Sequence, residues 1–136
     1  MIEPSLAVQK TLVARLTKSE IYQLAGVAVI DRGGRPEVAK CIIIGQAHTI
    51  FPDYFDTFSI STVADLHIWT KEDDLVSVKA IAGAAREALW RGPWTVEGHC
   101  CVNIRVEQAR FMRDPDGIHS HGVMTVTAIL QEDAQP

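Results

Sequence analysis

The sequence predicts an α+β fold, with a mostly antiparallel sheet and two main helices packed on one face of it. Three patterns carry this prediction. Apolar and polar side chains alternate over residues 63–70, which indicates a half-buried strand. Over residues 75–89 the apolar side chains instead fall within about 140° of a helix circumference, which indicates an amphipathic helix. The turn sequence at 114–117 separates two further apolar runs and predicts a closing hairpin.

The strand and the helix within residues 59–90 form the centre of the predicted fold. The inner face of the strand would carry Ala64, Leu66 and Ile68, and its outer face Asp65, His67 and Trp69. Asp73 and Asp74 follow, and their carboxylates are suited to cap the first N–H groups of the helix. Because the apolar face of that helix is rich in alanine, the helix can lie close against the sheet.

The chain before this unit predicts one main helix and two strands. Pro4 suits the first turn of a helix whose apolar face would consist of Leu6, Val8, Leu12, Val13 and Leu16. Residues 27–30 are a short apolar strand, and the glycines and proline at 33–36 then turn the chain. Residues 41–44 are continuously apolar, which is typical of a central strand covered on both faces.

Residues 45–58 extend this strand into a long loop that is rich in large apolar side chains. These are Ile50, Phe51, Tyr54, Phe55 and Phe58. Aromatic side chains on a loop of a small domain usually need cover. The cover could come from the core of the same chain or from another subunit, and the sequence leaves both possibilities open.

The chain after the central helix predicts two paired strands. Alternation over residues 100–107 places Cys100 on the apolar face, and it therefore predicts that Cys100 is a core residue. The last strand would run from about residue 119 to residue 130 and pair back on the previous one. Residues from about 131 to 136 would form a polar tail.

Length and composition indicate a single domain over residues 1–136. A chain of 136 residues with 47% hydrophobic and 22% charged side chains can bury a core without disulfides. Its net charge of −4 disfavours a general nucleic-acid binder. No apolar run approaches the roughly 18 residues of a membrane span, and the N-terminus lacks a signal-peptide pattern. The cysteines, of which Cys100 and Cys101 are neighbours, predict a reducing compartment such as the cytosol.

A search for catalytic and metal-binding motifs yields no enzyme signature. His119 and His121 would point the same way on a strand and could bind a metal, but histidines after a turn are more often solvated. Asp65 and His67 could form an acid–base pair, although a polar outer face beside Trp69 is the favoured interpretation. A nucleophile elbow and a phosphate-binding loop are both missing. We therefore expect no catalytic residue, no metal and no cofactor.

The order of these elements and their local sequence resemble the tail-completion, or tail terminator, proteins of long-tailed phages, prophages and gene transfer agents. The similar parts are a helix, PSLAVQKTLVARL, and a glycine/proline turn with its strand, DRGGRPEVAKCIIIG. A strand with its helix, VADLHIWTKEDDLVSVKAIAGAAREAL, and a hairpin, RVEQARFMRDPDGIHSHGVMTVTAIL, follow. The resemblance covers about residues 4–130, and its most specific pieces are the strand at 65–69 with its helix and the segment 110–121.

The resemblance implies a structural role without catalysis. It implies a small α+β subunit that closes into a hexameric ring on the tail tube, ends tail polymerisation and offers a surface for head–tail joining. Its partners would be itself, the major tail-tube protein and the head–tail connector or stopper protein, while DNA would only pass through the lumen and no membrane would be involved. The protein would lie at the head–tail junction of a virion or phage-like particle, and in the bacterial cytoplasm before assembly.

Apolar exposure, rather than a family motif, nominates the residues of subunit contact. They are Phe51, Tyr54, Phe55, Phe58, His67 and Trp69. Two other functions remain open. The chain could be the connector or stopper of the same neck region, which the order of neighbouring genes would distinguish. It could also be a small metal-dependent enzyme that uses His119 and His121, which its metal content would distinguish.

Overall fold

The computed structural model describes residues 2–18, 28–30, 39–51, 59–72 and 74–132. Its helices are α1 (Pro4–Thr17) and α2 (Val76–Trp90). Its strands are β1 (Ala28–Ile30), β2 (Lys40–Ile50), β3 (Ile60–Thr70), β4 (Thr95–Val96), β5 (His99–Arg113) and β6 (Ser120–Glu132). The predicted central strand, central helix and closing hairpin are therefore all present.

The strands of the described chain form one sheet in the order β1-β2-β3-β6-β5-β4. Only the β1–β2 pair is parallel; every other neighbouring pair is antiparallel. Both helices pack on the same face, because the buried core joins their apolar sides to the inner-face residues of the sheet. That core includes Val8 and Leu12 of α1, Val78, Ile81 and Ala85 of α2, and Ile42, Leu66, Ile68, Met124 and Val126 of the sheet. The predicted α+β fold is confirmed.

Helix α1 begins as predicted, with Pro4 in its first turn and the Glu3 carboxylate accepting a hydrogen bond from the N–H of Leu6. Its buried side differs from the prediction. Leu6 is 45% exposed, whereas Thr11, which is not among the residues predicted for the apolar face, is buried. The Thr11 hydroxyl is satisfied there because it donates to the carbonyl of Thr95, 2.7 Å away. A polar residue can therefore belong to the buried side when a neighbouring strand supplies an acceptor.

Helix α2 follows the predicted periodicity. Its fully buried residues are Val78, Ile81, Ala82, Ala85 and Leu89. The predicted cap is only partly correct, since Leu75 occupies the N-cap position and its side chain makes no capping bond. Asp74 lies one residue earlier and accepts from the N–H of Val76 at 2.9 Å, while Asp73 lies outside the described residues. No helix in the described part of the chain has the length and apolar character that a membrane crossing requires.

Strand β5 corrects the prediction for Cys100. Its register with β6 shifts between Cys101 and Asn103 and again between Val106 and Gln108. An extra residue in one strand reverses which side chains face the core. Cys100 is therefore exposed and Val102 is 53% exposed, while Cys101 packs against the core. Simple alternation misassigned the first half of this strand.

Strand β2 is covered on both faces where the sequence predicted it. Residues 41–44 are all buried, and the strand then continues to Ile50. Its register with β3 shifts between Ile44 and Ala47, so Gly45 and Gln46 form a bulge opposite Asp65. Strand β6 runs to Glu132, so residues 131 and 132, which we expected in the polar tail, belong to the strand; residues 133–136 lie outside the described residues.

Candidate functional site

The face of the sheet opposite the helices carries the candidate site; we call it the outer face. In the strand register, Trp69 lies between Cys41 of β2 and His121 of β6. The next row toward the middle of the sheet places His67 between Ile43 and Val123. Because directly paired residues share a face, these six side chains lie together on the outer face. The sequence pattern correctly placed His67 and Trp69 on the same face of β3, but it did not predict that His121 lies beside them.

Four of the residues on this side form what we call the outer-face cluster: His67, Trp69, His119 and His121. The Trp69 and His121 rings are stacked, with 4.0 Å between centroids and 7° between planes. The imidazoles of His67 and His121 are also stacked, at 5.1 Å and 22°. His119 contacts Trp69 edge to face, at 6.2 Å and 83°. Such offset and edge-on contacts between π systems are favourable, so the cluster joins β3 to β6 through its side chains.

His67 and His121 are also joined by a hydrogen bond. Nδ1 of His67 lies 2.9 Å from Nε2 of His121. Burial is the largest cause that lowers the pKa of His121, to about 4, and the charge of His67 adds to it. The nearby Asp114 carboxylate raises this pKa, and the Arg110 guanidinium lowers it. His121 is therefore a neutral imidazole at physiological pH.

Gly45 allows the His67 ring to lie where it does. A Cβ atom at Gly45 would lie 2.6 Å from Cδ2 and 2.7 Å from Nε2 of His67, well inside van der Waals contact. It would also lie 3.1 Å from the backbone oxygen of Asp65. Glycine is thus required here by the close approach of an aromatic ring, in the bulge of β2. No sequence pattern predicts a role for Gly45, because its contact with His67 follows only from the β2–β3 register.

The turn between β5 and β6 orients His119. The Asp116 carboxylate accepts from the backbone N–H of Ile118 at 2.8 Å and of His119 at 2.9 Å. Its second oxygen lies 2.5 Å from Nδ1 of His119. These bonds, with the His119 N–H as the largest cause, hold the pKa of Asp116 well below its usual range. Gly117 completes the turn with φ at +74°, as the predicted hairpin requires.

The arrangement does not place His119 and His121 as ligands of one ion. Nδ1 of His119 faces Asp116, while Nε2 of His121 faces His67. Within the described residues, no three His, Cys, Asp or Glu side chains come together in a way that could hold a metal. Asp65 is a hydrogen-bond acceptor for the Thr125 hydroxyl at 3.3 Å, so its nearest role is structural. What the cluster can do chemically is to stack and to share a proton.

The loop that we expected to contribute contacts is described only at its start. Ile50 and Phe51 are 54% and 62% exposed at the end of β2. Tyr54, Phe55 and Phe58 lie outside the described residues. Elsewhere in the described chain, large exposed apolar side chains include Val76 and Trp90, so exposure alone does not single out one surface.

Comparisons with known proteins agree with this architecture. The family model described as "Tail completion protein gp17" matches residues 10–131. A chain in a structure entitled "Virion of native gene transfer agent (GTA) particle" is 18% identical with a TM-score of 0.79, covering 96% of this chain and 99% of that one. The gp17 protein of bacteriophage SPP1 is 20% identical with a TM-score of 0.59, covering 96% of this chain and 94% of that one.

The two solved structures show that the fold is shared, and at these identities they show the fold alone. Comparison with curated proteins finds no match. The family model is the stronger finding, because it matches nearly the whole of the described fold, from the middle of α1 to the end of β6. It agrees with the resemblance read from the sequence. The chain belongs to the tail completion protein gp17 family.

Proposed function

We propose that this chain is a structural subunit that caps the tail tube of a phage-like particle as a ring. The ring ends tail polymerisation and provides the surface for head–tail joining. The observation that carries the proposal is the match of residues 10–131 to a family of tail completion proteins. The fold shared with a chain of a gene transfer agent particle and with a phage gp17 protein supports it.

A closed cyclic ring uses heterologous contacts, so each subunit needs two different side surfaces. The outer face is our candidate for one of them, because its half-buried Trp69 and His67 lie on a side of the sheet that the helices do not cover. Phe51, exposed at the end of β2, and the loop residues Tyr54, Phe55 and Phe58 extend this candidate contact. A hexamer is the proposed stoichiometry.

The proposed mechanism is imitation of the tube end. One flat side of the ring copies the contact surface of a major tail-tube subunit and binds the last tube ring. The other flat side differs, so that no further tube ring adds and the connector or stopper protein binds there. DNA passes through the lumen, and the net charge of −4 is consistent with a wall that does not hold it tightly. The subunit is made in the bacterial cytoplasm and resides in the particle at the head–tail junction.

This role needs no catalytic residue, cofactor or metal. The connector or stopper of the same neck region is the second candidate, and it predicts a different defect. Loss of a terminator leaves tails of uncontrolled length. Loss of a stopper leaves tails of normal length that are not joined to DNA-filled heads. Electron microscopy of particles that lack this gene distinguishes the two. Normal particles would contradict both assignments.

The contact assignment has its own test. The double substitution Phe51→Asp with Phe55→Asp should prevent ring formation and release control of tail length, because two carboxylates would replace apolar contact area. The control is Val76→Asp, since Val76 is 74% exposed on α2 and so away from the proposed contact. Ring formation is measured by mass and by microscopy, and tail length on complemented particles. Unchanged rings and tails in the double variant would show that the loop assignment is wrong.

A further inference from the structure

The hydrogen bond between His67 and His121 is the feature from which we draw a further inference. Their nearest nitrogens, Nδ1 and Nε2, are 2.9 Å apart, so one of them donates a proton and the other offers a lone pair. A neutral pair satisfies this arrangement. A pair that has taken up one proton satisfies it too, because the extra proton occupies a nitrogen that points away from the bond.

A second proton cannot be accommodated. Both facing nitrogens would then carry hydrogen, and two imidazolium rings would be stacked with 5.1 Å between their centroids. Like charges at this separation repel each other at the effective dielectric of a half-buried site, where water screens them less than it screens exposed charges. The pair therefore tolerates one positive charge and separates at two.

Among the described residues, the groups around the pair do not neutralise a second charge. From β3, Asp65 is held by Thr125. From the β5–β6 hairpin, the Asp116 carboxylate binds His119. The Asp114 carboxylate raises the pKa of His121, whereas the positive charge of Arg110 lowers it. From β2, the groups on the His67 side are the bulge glycine Gly45 and the buried thiol of Cys41.

Separation of the two imidazoles would also release Trp69. The His121 ring makes both contacts at once. It is hydrogen-bonded to His67, and it stacks nearly parallel on the indole of Trp69 with 4.0 Å between ring centroids. His67 cannot retreat toward β2, because its ring already lies against the backbone at Gly45. Movement of His121 away from His67 therefore has to change its contact with Trp69.

We propose that His67 and His121 form a proton-sensitive latch, which holds Trp69 flat on the outer face until the pair takes up its second proton. Burial, together with the neighbouring charge of His67, lowers the pKa of His121, which agrees with its resistance to protonation in the pair. The latch belongs to the single chain and does not rest on the proposed ring. If the outer face is the subunit contact, the latch also makes that contact sensitive to acid, and this extension rests on the proposed function.

The test is an NMR titration of the full chain at a dilution that keeps it monomeric, with ¹⁵N-labelled histidine and tryptophan, between about pH 8 and about pH 3, so that the range extends below the pKa of His121. Near neutral pH, one nitrogen of the facing pair should carry hydrogen and the other should not. On acidification, the indole N–H signal of Trp69 should move together with the titration of His121. The indole of Trp94, which donates to the carbonyl of Leu89 at 3.0 Å, is the internal control.

Substitutions provide the second arm of the test. In His67→Gln, the pKa of His121 should rise part of the way toward its ordinary value of 6.5, because burial still lowers it but the neighbouring charge is removed. His48→Gln is the matched control, since His48 lies exposed at the far end of β2 and should leave His121 unchanged. Should His67→Gln fold poorly, His121→Gln with the titration of His67 as readout asks the same question. Independent titration of the two histidines, or a Trp69 signal that ignores both, would overturn the latch.

The measurement separates the latch from the proposed function. Because it uses the monomer, a negative result leaves the tail-completion role untouched. A negative result from particles that lack the gene leaves the latch untouched, because that experiment does not observe the histidines.

Discussion

The indole of Trp69 lies parallel to the imidazole of His121, with 4.0 Å between ring centroids and 7° between their planes. The two residues are directly opposite each other in the β3–β6 register, although α2, β4 and β5 separate them in the chain. Stacked aromatic pairs contribute about 0.5–1.5 kcal/mol beyond the area they bury. The stack therefore stabilises the contact between the two central strands from the side that the helices leave uncovered.

The first prediction concerns the stability of the fold between neutral and acidic pH. Burial lowers the pKa of His121 to about 4, from an ordinary value of 6.5. Below pH 6.5 the unfolded chain binds a proton at His121 that the folded chain does not bind, so the free energy of unfolding decreases as pH falls. The decrease should end near pH 4, and for a half-buried group it should amount to about 1–2 kcal/mol.

Urea unfolding at a series of pH values measures this effect. The His121→Gln variant should lose most of the dependence in this window, whereas His48→Gln should keep it. Asp116 acts in a lower window, because its depressed pKa gives stability that is present above its ordinary value of 3.8 and is lost as pH falls below it. A His121→Gln variant with an undiminished slope would assign the dependence to other groups.

The second prediction compares two glycines that differ in their surroundings. Gly45→Ala places a Cβ atom 2.6 Å from the His67 ring and should destabilise the fold by about 1–3 kcal/mol. Gly83→Ala meets nothing within 4 Å on the exposed side of α2, and it should stabilise the helix by about 0.5–1 kcal/mol. Denaturant midpoints of the two variants should therefore move in opposite directions. A Gly45→Ala midpoint equal to that of the parent would mean that His67 has another position available.

The third prediction concerns the buried hydroxyl that links α1 to β4. Thr11→Val keeps the shape of the side chain but removes the donor to the carbonyl of Thr95, 2.7 Å away. The loss should be about 1–2 kcal/mol, since the Thr11 side chain is buried and its bond to β4 is shielded in part from water. Thr17→Val is the matched control, because its hydroxyl bonds to Val13 within the same helix at 2.8 Å, and it should change stability by less than about 0.5 kcal/mol. Equal losses in the two variants would contradict the tertiary role of Thr11.

Much of the fold follows from short-range pattern. The alternation in β3 and the helical period of α2 each depend on side chains that face one neighbouring layer, so both could be read from consecutive residues. The hairpin turn could be predicted because glycine tolerates the positive φ seen at Gly117 and aspartates favour turns through hydrogen bonds to the backbone. The buried side of α1 could be predicted less well from consecutive residues, because Thr11 is buried only where β4 supplies a hydrogen-bond acceptor.

The candidate site depends on information that no short stretch contains. His67 and Trp69 could be placed on one face because they lie two residues apart on one strand. Their contact with His121 requires the β3–β6 register, and the position of the His67 ring requires the bulge at Gly45. Bulges change the phase of a strand without a strong local signal, and for this reason alternation also failed at Cys100.

The last prediction uses that correction, since the three cysteines of the described chain differ in exposure. Cys100 is exposed, Cys101 is half-buried and Cys41 is fully buried. Burial raises the pKa of the Cys101 thiol, and the charge of Cys100 raises it further, against a hydrogen bond from the backbone of Asn103 that lowers it. Since the thiolate is the reactive form, Cys101 should react more slowly than Cys100 with a disulfide reagent at about pH 8.

Thiol titration should therefore show one fast-reacting group in the folded protein, and Cys100→Ser should remove it. Cys101→Ser is the control that should keep the fast phase, because Cys101 packs against the core whereas Cys100 is exposed. Cys41 should react only when the protein unfolds, because it is fully buried opposite Trp69 in the β2–β3 register. A fast phase that survives Cys100→Ser would mean that the bulge between Cys101 and Asn103 is absent in solution, and that simple alternation holds in β5 after all.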